Sequence, residues 1–76
     1  MTEIAAQLDT RGMSCPLPIL KTRQAIGKLH AGEVLEVRST DPGSVQDMAA
    51  FCTQTGHELV SSGESSGHYI FMFRKS

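Results

Sequence analysis

Hydrophobic and polar positions change period four times along the chain, and those changes mark its elements. Residues 4–8 alternate, with Ile4, Ala6 and Leu8 on one side, as a half-buried strand does. From Ile19 the repeat lengthens to three and four: Ile19, Thr22, Ile26 and Leu29 fall on one helical face, and Lys21, Gln24 and Lys28 on the other. His30 and Gly32 close that helix, with His30 placed to meet its negative end. A second strand, rich in β-branched and apolar residues, is predicted over residues 33–40. The turn sequence Asp41-Pro42-Gly43-Ser44 opens a second helix, whose core stripe reads Val45, Met48, Ala49 and Cys52. Gly56 ends it. Residues 57–62 form a third strand, 63–67 a hairpin turn, and 68–74 the most strongly patterned strand of the chain.

This order, β-α-β-α-β-β, defines an α/β two-layer sandwich: a four-stranded mixed sheet with two helices on one face. The first crossover, strand to helix to strand, implies parallel pairing. The last strand is apolar on both sides, so covering one face leaves either Ile70 and Met72 or Tyr69, Phe71 and Phe73 partly open. The open set is a candidate association surface.

Composition narrows the class. Seventy-six residues make a single domain, residues 1–76, too small to enclose an active site, so any chemistry belongs at the surface. Seven basic and eight acidic side chains give a net charge of −1, without general attraction to nucleic acid or anionic membrane. No apolar run approaches the roughly 20 residues of a membrane helix. The first residues lack the basic and apolar pattern of a secretory signal, and two cysteines do not make a disulfide framework. A reducing compartment, the cytoplasm, is the expectation.

The candidate chemistry lies in Arg11-Gly12-Met13-Ser14-Cys15-Pro16-Leu17-Pro18. Prolines suit only the first turn of a helix, so Pro16 and Pro18 put the helix start at or just before Pro16, with Ser14 or Cys15 capping it. A helix N-terminus favours the thiolate, which makes Cys15 the candidate nucleophile. The two prolines stiffen this corner, although they also remove two N–H donors from it. Gly12 supplies a backbone conformation closed to other residues. Arg11 either stands near the thiolate or an acidic partner, or pairs with Asp9. Leu17 lies on the outer side, beside the cysteine, as a candidate docking residue.

Asp41, Pro42 and Gly43 read as a cap and turn, with Asp41 or Ser44 as the capping residue. In a parallel crossover fold the segment after each strand lies on one sheet edge, which brings this turn close to the Cys15 loop. Cys52 reads as a buried apolar residue; as a resolving thiol it would need to be close to Cys15 and accessible. Cys15, His30, Cys52, His57 and His68 have none of the usual paired metal-ligand spacings, so neither a metal nor another cofactor is expected.

Asp9-Thr10-Arg11-Gly12-Met13-Ser14-Cys15-Pro16-Leu17-Pro18, with Thr40-Asp41-Pro42-Gly43-Ser44 downstream, resembles the TusA-like (SirA-like) family of small sulfur-carrier proteins over nearly the whole chain. The resemblance implies the same two-layer fold, similar to the C-terminal domain of a bacterial translation initiation factor. It implies that Cys15 carries sulfur as a persulfide, accepted from a donor protein such as a cysteine desulfurase or rhodanese. An acceptor protein would then take it, in transfer-RNA 2-thiolation or sulfur oxidation. Such a chain is a sulfurtransferase-type carrier acting with partner enzymes, a monomer or weak oligomer without direct nucleic-acid contact. Two other classes stay open: a thiol-dependent redox protein using Cys52, and a regulatory or nucleic-acid-binding module.

Overall fold

The computed structural model describes residues 4–14 and 16–76. Four strands, β1 (Ile4–Thr10), β2 (Val34–Ser39), β3 (Glu58–Ser65) and β4 (His68–Arg74), and two helices, α1 (Leu17–Ile26) and α2 (Ser44–Thr55), follow the predicted order. The sheet order is β1-β2-β4-β3, with β1 and β2 parallel and the other pairs antiparallel.

Alternation decides which side chains meet the helices. Leu35 and Val37 of β2 and Phe71 and Phe73 of β4 are almost fully buried and pack with Ile26 of α1 and Met48, Phe51 and Cys52 of α2. Ala6, Leu8 and Leu59 border this cluster. Phe51 meets Phe73 edge to face at 6.1 Å between ring centroids, a favoured aromatic geometry. The ambiguity in β4 is thereby resolved: Phe71 and Phe73 face the helices, while Ile70 and Met72 stay half-buried on the far side. There Arg38 is paired with Ile70 and Glu36 with Met72 across the ladder. Arg38 Nε donates to Glu36 Oε1 at 2.9 Å, so these two charges on the far face pair with each other.

Besides one-residue differences at the ends of β2, at the start of β3 and at the start of α1, the elements depart from expectation in four places. β1 runs two residues further, through Asp9 and Thr10, because Thr10 is buried and its hydroxyl donates to Arg38 O at 2.6 Å. β3 continues through Ser65, and the turn shrinks to Ser66 and Gly67, with φ of 52° and 82°. Two central residues with positive φ match the primed turn that suits the twist of a hairpin. In α2, Val45 and Ala49 are exposed, and the buried stripe is Ser44, Met48, Phe51 and Cys52. The stripe is thus rotated from the expected one. α1 ends at Ile26, and Lys75 Nζ, not His30, reaches its end, donating to Gly27 O at 3.3 Å and Leu29 O at 2.6 Å. The backbone N–H of His30 donates to Glu33 Oε1.

Neither helix is long and apolar enough to cross a membrane.

Candidate functional site

Parallel pairing of β1 and β2 places the loops that follow both strands on one edge of the sheet, and a side chain ties them together. The Gly12 N–H donates to Thr40 Oγ1 at 2.9 Å, across 28 residues of sequence. Gly12 has φ +83°, a left-handed conformation that a Cβ would strain although it would strike nothing. Met13 N–H donates to Thr10 O at 3.1 Å, which turns the chain out of β1. The motif loop is thus held at its base by the ends of two strands. The expected nearness of the Asp41 turn to the motif loop is realised through this clip.

Arg11 takes one of its two readings. Its backbone N–H and Nε donate to Asp9 Oδ1 at 3.0 and 2.9 Å, and Nη2 donates to Asp9 Oδ2 at 2.9 Å. The Arg11 guanidinium, followed by its backbone N–H, holds the Asp9 carboxyl down at about 2. Asp9 in turn raises the Arg11 pKa, chiefly through the same side-chain bond. Both residues are exposed, so this pair shapes the loop rather than anchoring a core.

Cys15 lies outside the described residues. On either side of it, Ser14 and Pro16 are exposed. The helix begins one residue later than expected: Pro16 occupies the N-cap position, φ −99° and ψ 15°, with no side-chain cap, and Leu17 and Pro18 form the first turn. The ladder shows why. Pro16 O accepts the first bond, from Leu20 N–H at 3.1 Å, while Leu17 N–H turns back to Ser14 O at 2.9 Å. Pro18 has no N–H to offer, so the helix start presents fewer free donors to an anion than a proline-free one. Pro18 is buried and its carbonyl accepts from Thr22 Oγ1 at 2.8 Å, which fixes the first turn to the core. Leu17 and Leu20 stand exposed at 45% and 46%, an apolar pair on the outer face beside the motif.

The Asp41 turn is built by backbone groups. Asp41 O accepts both the N–H and the hydroxyl of Ser44, at 3.0 and 2.6 Å, and the Asp41 N–H donates to Ser39 Oγ at 3.2 Å. Gly43 takes the N-cap position, so neither Asp41 nor Ser44 caps α2 through its side chain. Asp41 Oδ2 is buried without a hydrogen-bond partner, and a Cβ on Gly43 would lie 3.4 Å from it. Pro42 and Gly43 are exposed.

Between α1 and α2 runs an open groove of about 280 Å³ that ends at Pro16, with Ile19, Arg23, Asp47 and Phe51 along it. The Arg23 guanidinium lies 5.7 Å above the Phe51 ring. Cys52 is a free, buried thiol, and burial pushes its pKa up, so it behaves as a packed apolar residue. Among the described residues no three His, Cys, Asp or Glu side chains group to hold a metal ion.

Sequence reading named Thr10 and Thr40 only as motif positions and Ser44 only as a candidate cap, without the bonds by which they set the loops; it missed Phe51, which floors the groove. Thr10 ends β1 and Thr40 follows the end of β2, each immediately before a turn.

The fold and the loop together define a small two-layer α/β domain that offers a Cys-Pro-x-Pro corner at a helix start. A solved structure of a SirA-like protein from Desulfitobacterium hafniense shares this fold, with a TM-score of 0.81 over 91% of this chain and 95% of that one, at 21% identity. The family described as sulfurtransferase TusA matches residues 6–75, and the chain belongs to it. The sulfur carrier protein TusA of Allochromatium vinosum is 45% identical over 76 residues, covering both chains fully. That of Pseudomonas entomophila is 40% identical over 70 residues, 92% of this chain and 88% of the other.

Proposed function

We propose that this chain, as a single domain, is a sulfur carrier that holds sulfur as a persulfide on Cys15. The observation that carries the reading is full-length similarity to a named sulfur carrier, at 45% identity, in a chain whose Cys-Pro-x-Pro corner has exposed residues on both sides. The Cys15 thiolate attacks the outer sulfur of a donor persulfide. A sulfur–sulfur bond forms at Cys15 as the donor's own sulfur–sulfur bond breaks, and the donor cysteine leaves as thiolate. An acceptor thiolate then attacks the outer sulfur of the Cys15 persulfide, and Cys15 is the leaving group. Neither step needs an external oxidant or reductant.

The surrounding residues prepare this exchange. The Gly12–Thr40 clip and buried Pro18 fix the two ends of the loop, and the Asp9–Arg11 pair shapes its approach. The partners in this reading are a cysteine desulfurase or rhodanese as donor and a thiol protein as acceptor, in transfer-RNA 2-thiolation or sulfur oxidation. A reducing compartment, the cytoplasm, suits a Cys15 kept as a thiol ready to accept sulfur and the free Cys52.

The test is intact mass after incubation with a desulfurase and cysteine, or with a rhodanese and thiosulfate. A reductant-sensitive gain of one sulfur that maps to Cys15 and disappears in Cys15→Ser is expected. Full loading of Cys15→Ser would overturn the assignment.

A further inference from the structure

The face of the sheet turned away from the helices carries an ordered arrangement of charge, and the strand registers fix its layout. Two neighbouring rungs cross it in the order β1, β2, β4, β3. One runs Asp9, Arg38, Ile70, Gly63, and the other Gln7, Glu36, Met72, Ser61. The rungs correspond position by position: a polar residue on β1, opposite charges on β2, an apolar residue on β4 and a small one on β3. The β2 positions also differ in relief. The Glu36 side chain is 6% exposed and that of Arg38 41%, so one is sunk and the other projects. Along them lies an open cavity of about 350 Å³, which Gln7, Asp9 and Arg11 also line.

A two-fold axis lying in the plane of this face, across the strands and between the two rungs, exchanges one rung for the other. It sets Arg38 of each copy over Glu36 of the second, Ile70 over Met72, Asp9 over Gln7, and Gly63 over Ser61. An isologous contact requires a patch that is its own complement, and this layout meets that condition in charge and in relief. The strands of the two copies then run antiparallel to each other, which suits aligned packing of twisted sheets. An axis along β2 would instead set Arg38 over Arg38 and Glu36 over Glu36, and like charges oppose that pairing. Area sets the strength. Four strands about 4.8 Å apart, with seven residues at about 3.3 Å each, outline roughly 440 Å². A standard stable interface takes about 800 Å² from each partner, so this contact is weak and exchanges readily.

We propose that this chain self-associates through the open face of its sheet, as a symmetric pair in which Arg38 of each copy enters the other's recess at Glu36. Arg38 Nε stays on its own Glu36 at 2.9 Å, so two arginines and two glutamates close an alternating ring without net charge. Those charges fix the register, and Ile70 with Met72 supplies the apolar contact. At the ends of the patch Arg74 keeps its bond to Glu58 at 3.0 Å and faces His68 of the second copy. Both helices lie on the other side of the sheet, so the groove between them stays open in each copy. The inference is independent of the chemistry assigned to Cys15.

Sedimentation equilibrium of the full chain, with reductant present so that no disulfide contributes, follows the average mass from about 10 µM to 1 mM. The mass is expected to climb from one chain toward two. Gly63→Arg puts a long cationic side chain on the face at an exposed position where an added Cβ meets nothing, so the fold tolerates it, and thermal unfolding checks this. It should weaken association by about tenfold or more. The charge-exchanged chain, Glu36→Arg with Arg38→Glu, should pair with itself and not with a fluorescently labelled wild-type chain. A wild-type chain that remains single at the highest concentration overturns the proposal. So does a pair that Gly63→Arg leaves at full strength, or one that a folded charge-exchanged chain joins as readily as its own kind.

Discussion

Replacing Cys52 by alanine separates the two cysteines by role. The Cys52 thiol lies in the cluster formed by Ile26, Leu35, Val37, Met48, Phe51, Phe71 and Phe73, with 9% of the residue exposed. Removing one sulfur from that site deletes less volume than a leucine-to-alanine change, which costs about 2–5 kcal/mol, so a loss of about 1–2 kcal/mol is expected. For a domain of this size each kcal/mol moves the unfolding midpoint by about 4–8 °C, so Tm should fall by about 4–16 °C. The total stability of such a domain is on the order of 4–11 kcal/mol, so the variant remains folded at 25 °C. The assay pairs thermal unfolding by circular dichroism with sulfur loading at 25 °C. Reduced Tm with full loading is the expected outcome. Unchanged Tm would contradict the packing argument, and loss of loading in a folded Cys52→Ala protein would give Cys52 a chemical role that its burial argues against.

Three further outcomes follow from the geometry. Asp9 has a folded pKa of about 2 against about 3.9 in an unfolded chain, so whatever stability the exposed Asp9–Arg11 pair adds is present above pH 4 and fades as pH falls through 2; Asp9→Asn should leave Tm between pH 5 and 8 almost unchanged. Thr10→Val keeps the side-chain shape but removes the buried bond to Arg38 O, with an expected loss of about 1–2 kcal/mol in urea unfolding and slower loading as the base of the motif loop loosens. Ser66→Asn puts a residue that tolerates positive φ ahead of Gly67, and Tm should rise, by about 0.5 kcal/mol of added stability.

The fold was legible because its elements carry distinct periods. Leu35, Val37, Phe71 and Phe73 repeat at two, and Thr22 and Ile26 at four, and each set is buried as a set. The strand β4 matched residue for residue, since no glycine or proline interrupts it. The stripe of α2 was misread because Val45 is β-branched and apolar, while Ser44 is small and polar. Ser44 is nonetheless buried, because its hydroxyl is satisfied by Asp41 O, a bond that only the folded turn reveals. The role of Lys75 at the end of α1 was equally hidden, since it joins residues 46 and 48 positions apart.

The motif was legible, and so was its nearness to the Asp41 turn; the bond that fixes the two loops together was not. A cysteine followed by two prolines announces a helix start from local sequence, whatever the tertiary fold. Its placement beside the Asp41 turn depends on parallel pairing of β1 with β2 and on Thr40 accepting from Gly12. The observed helix start also changes the electrostatic argument. Leu17 N–H is bound to Ser14 O and Pro18 has none, so the helix offers a thiolate less than an ordinary N-terminus would. What the two prolines supply instead is stiffness at the helix start, with exposed Leu17 and Leu20 beside it. For a relay between proteins that trade-off is reasonable. A thiolate stabilised too strongly loses nucleophilicity, whereas the relay proposed above needs sulfur to be both received and given up at comparable ease.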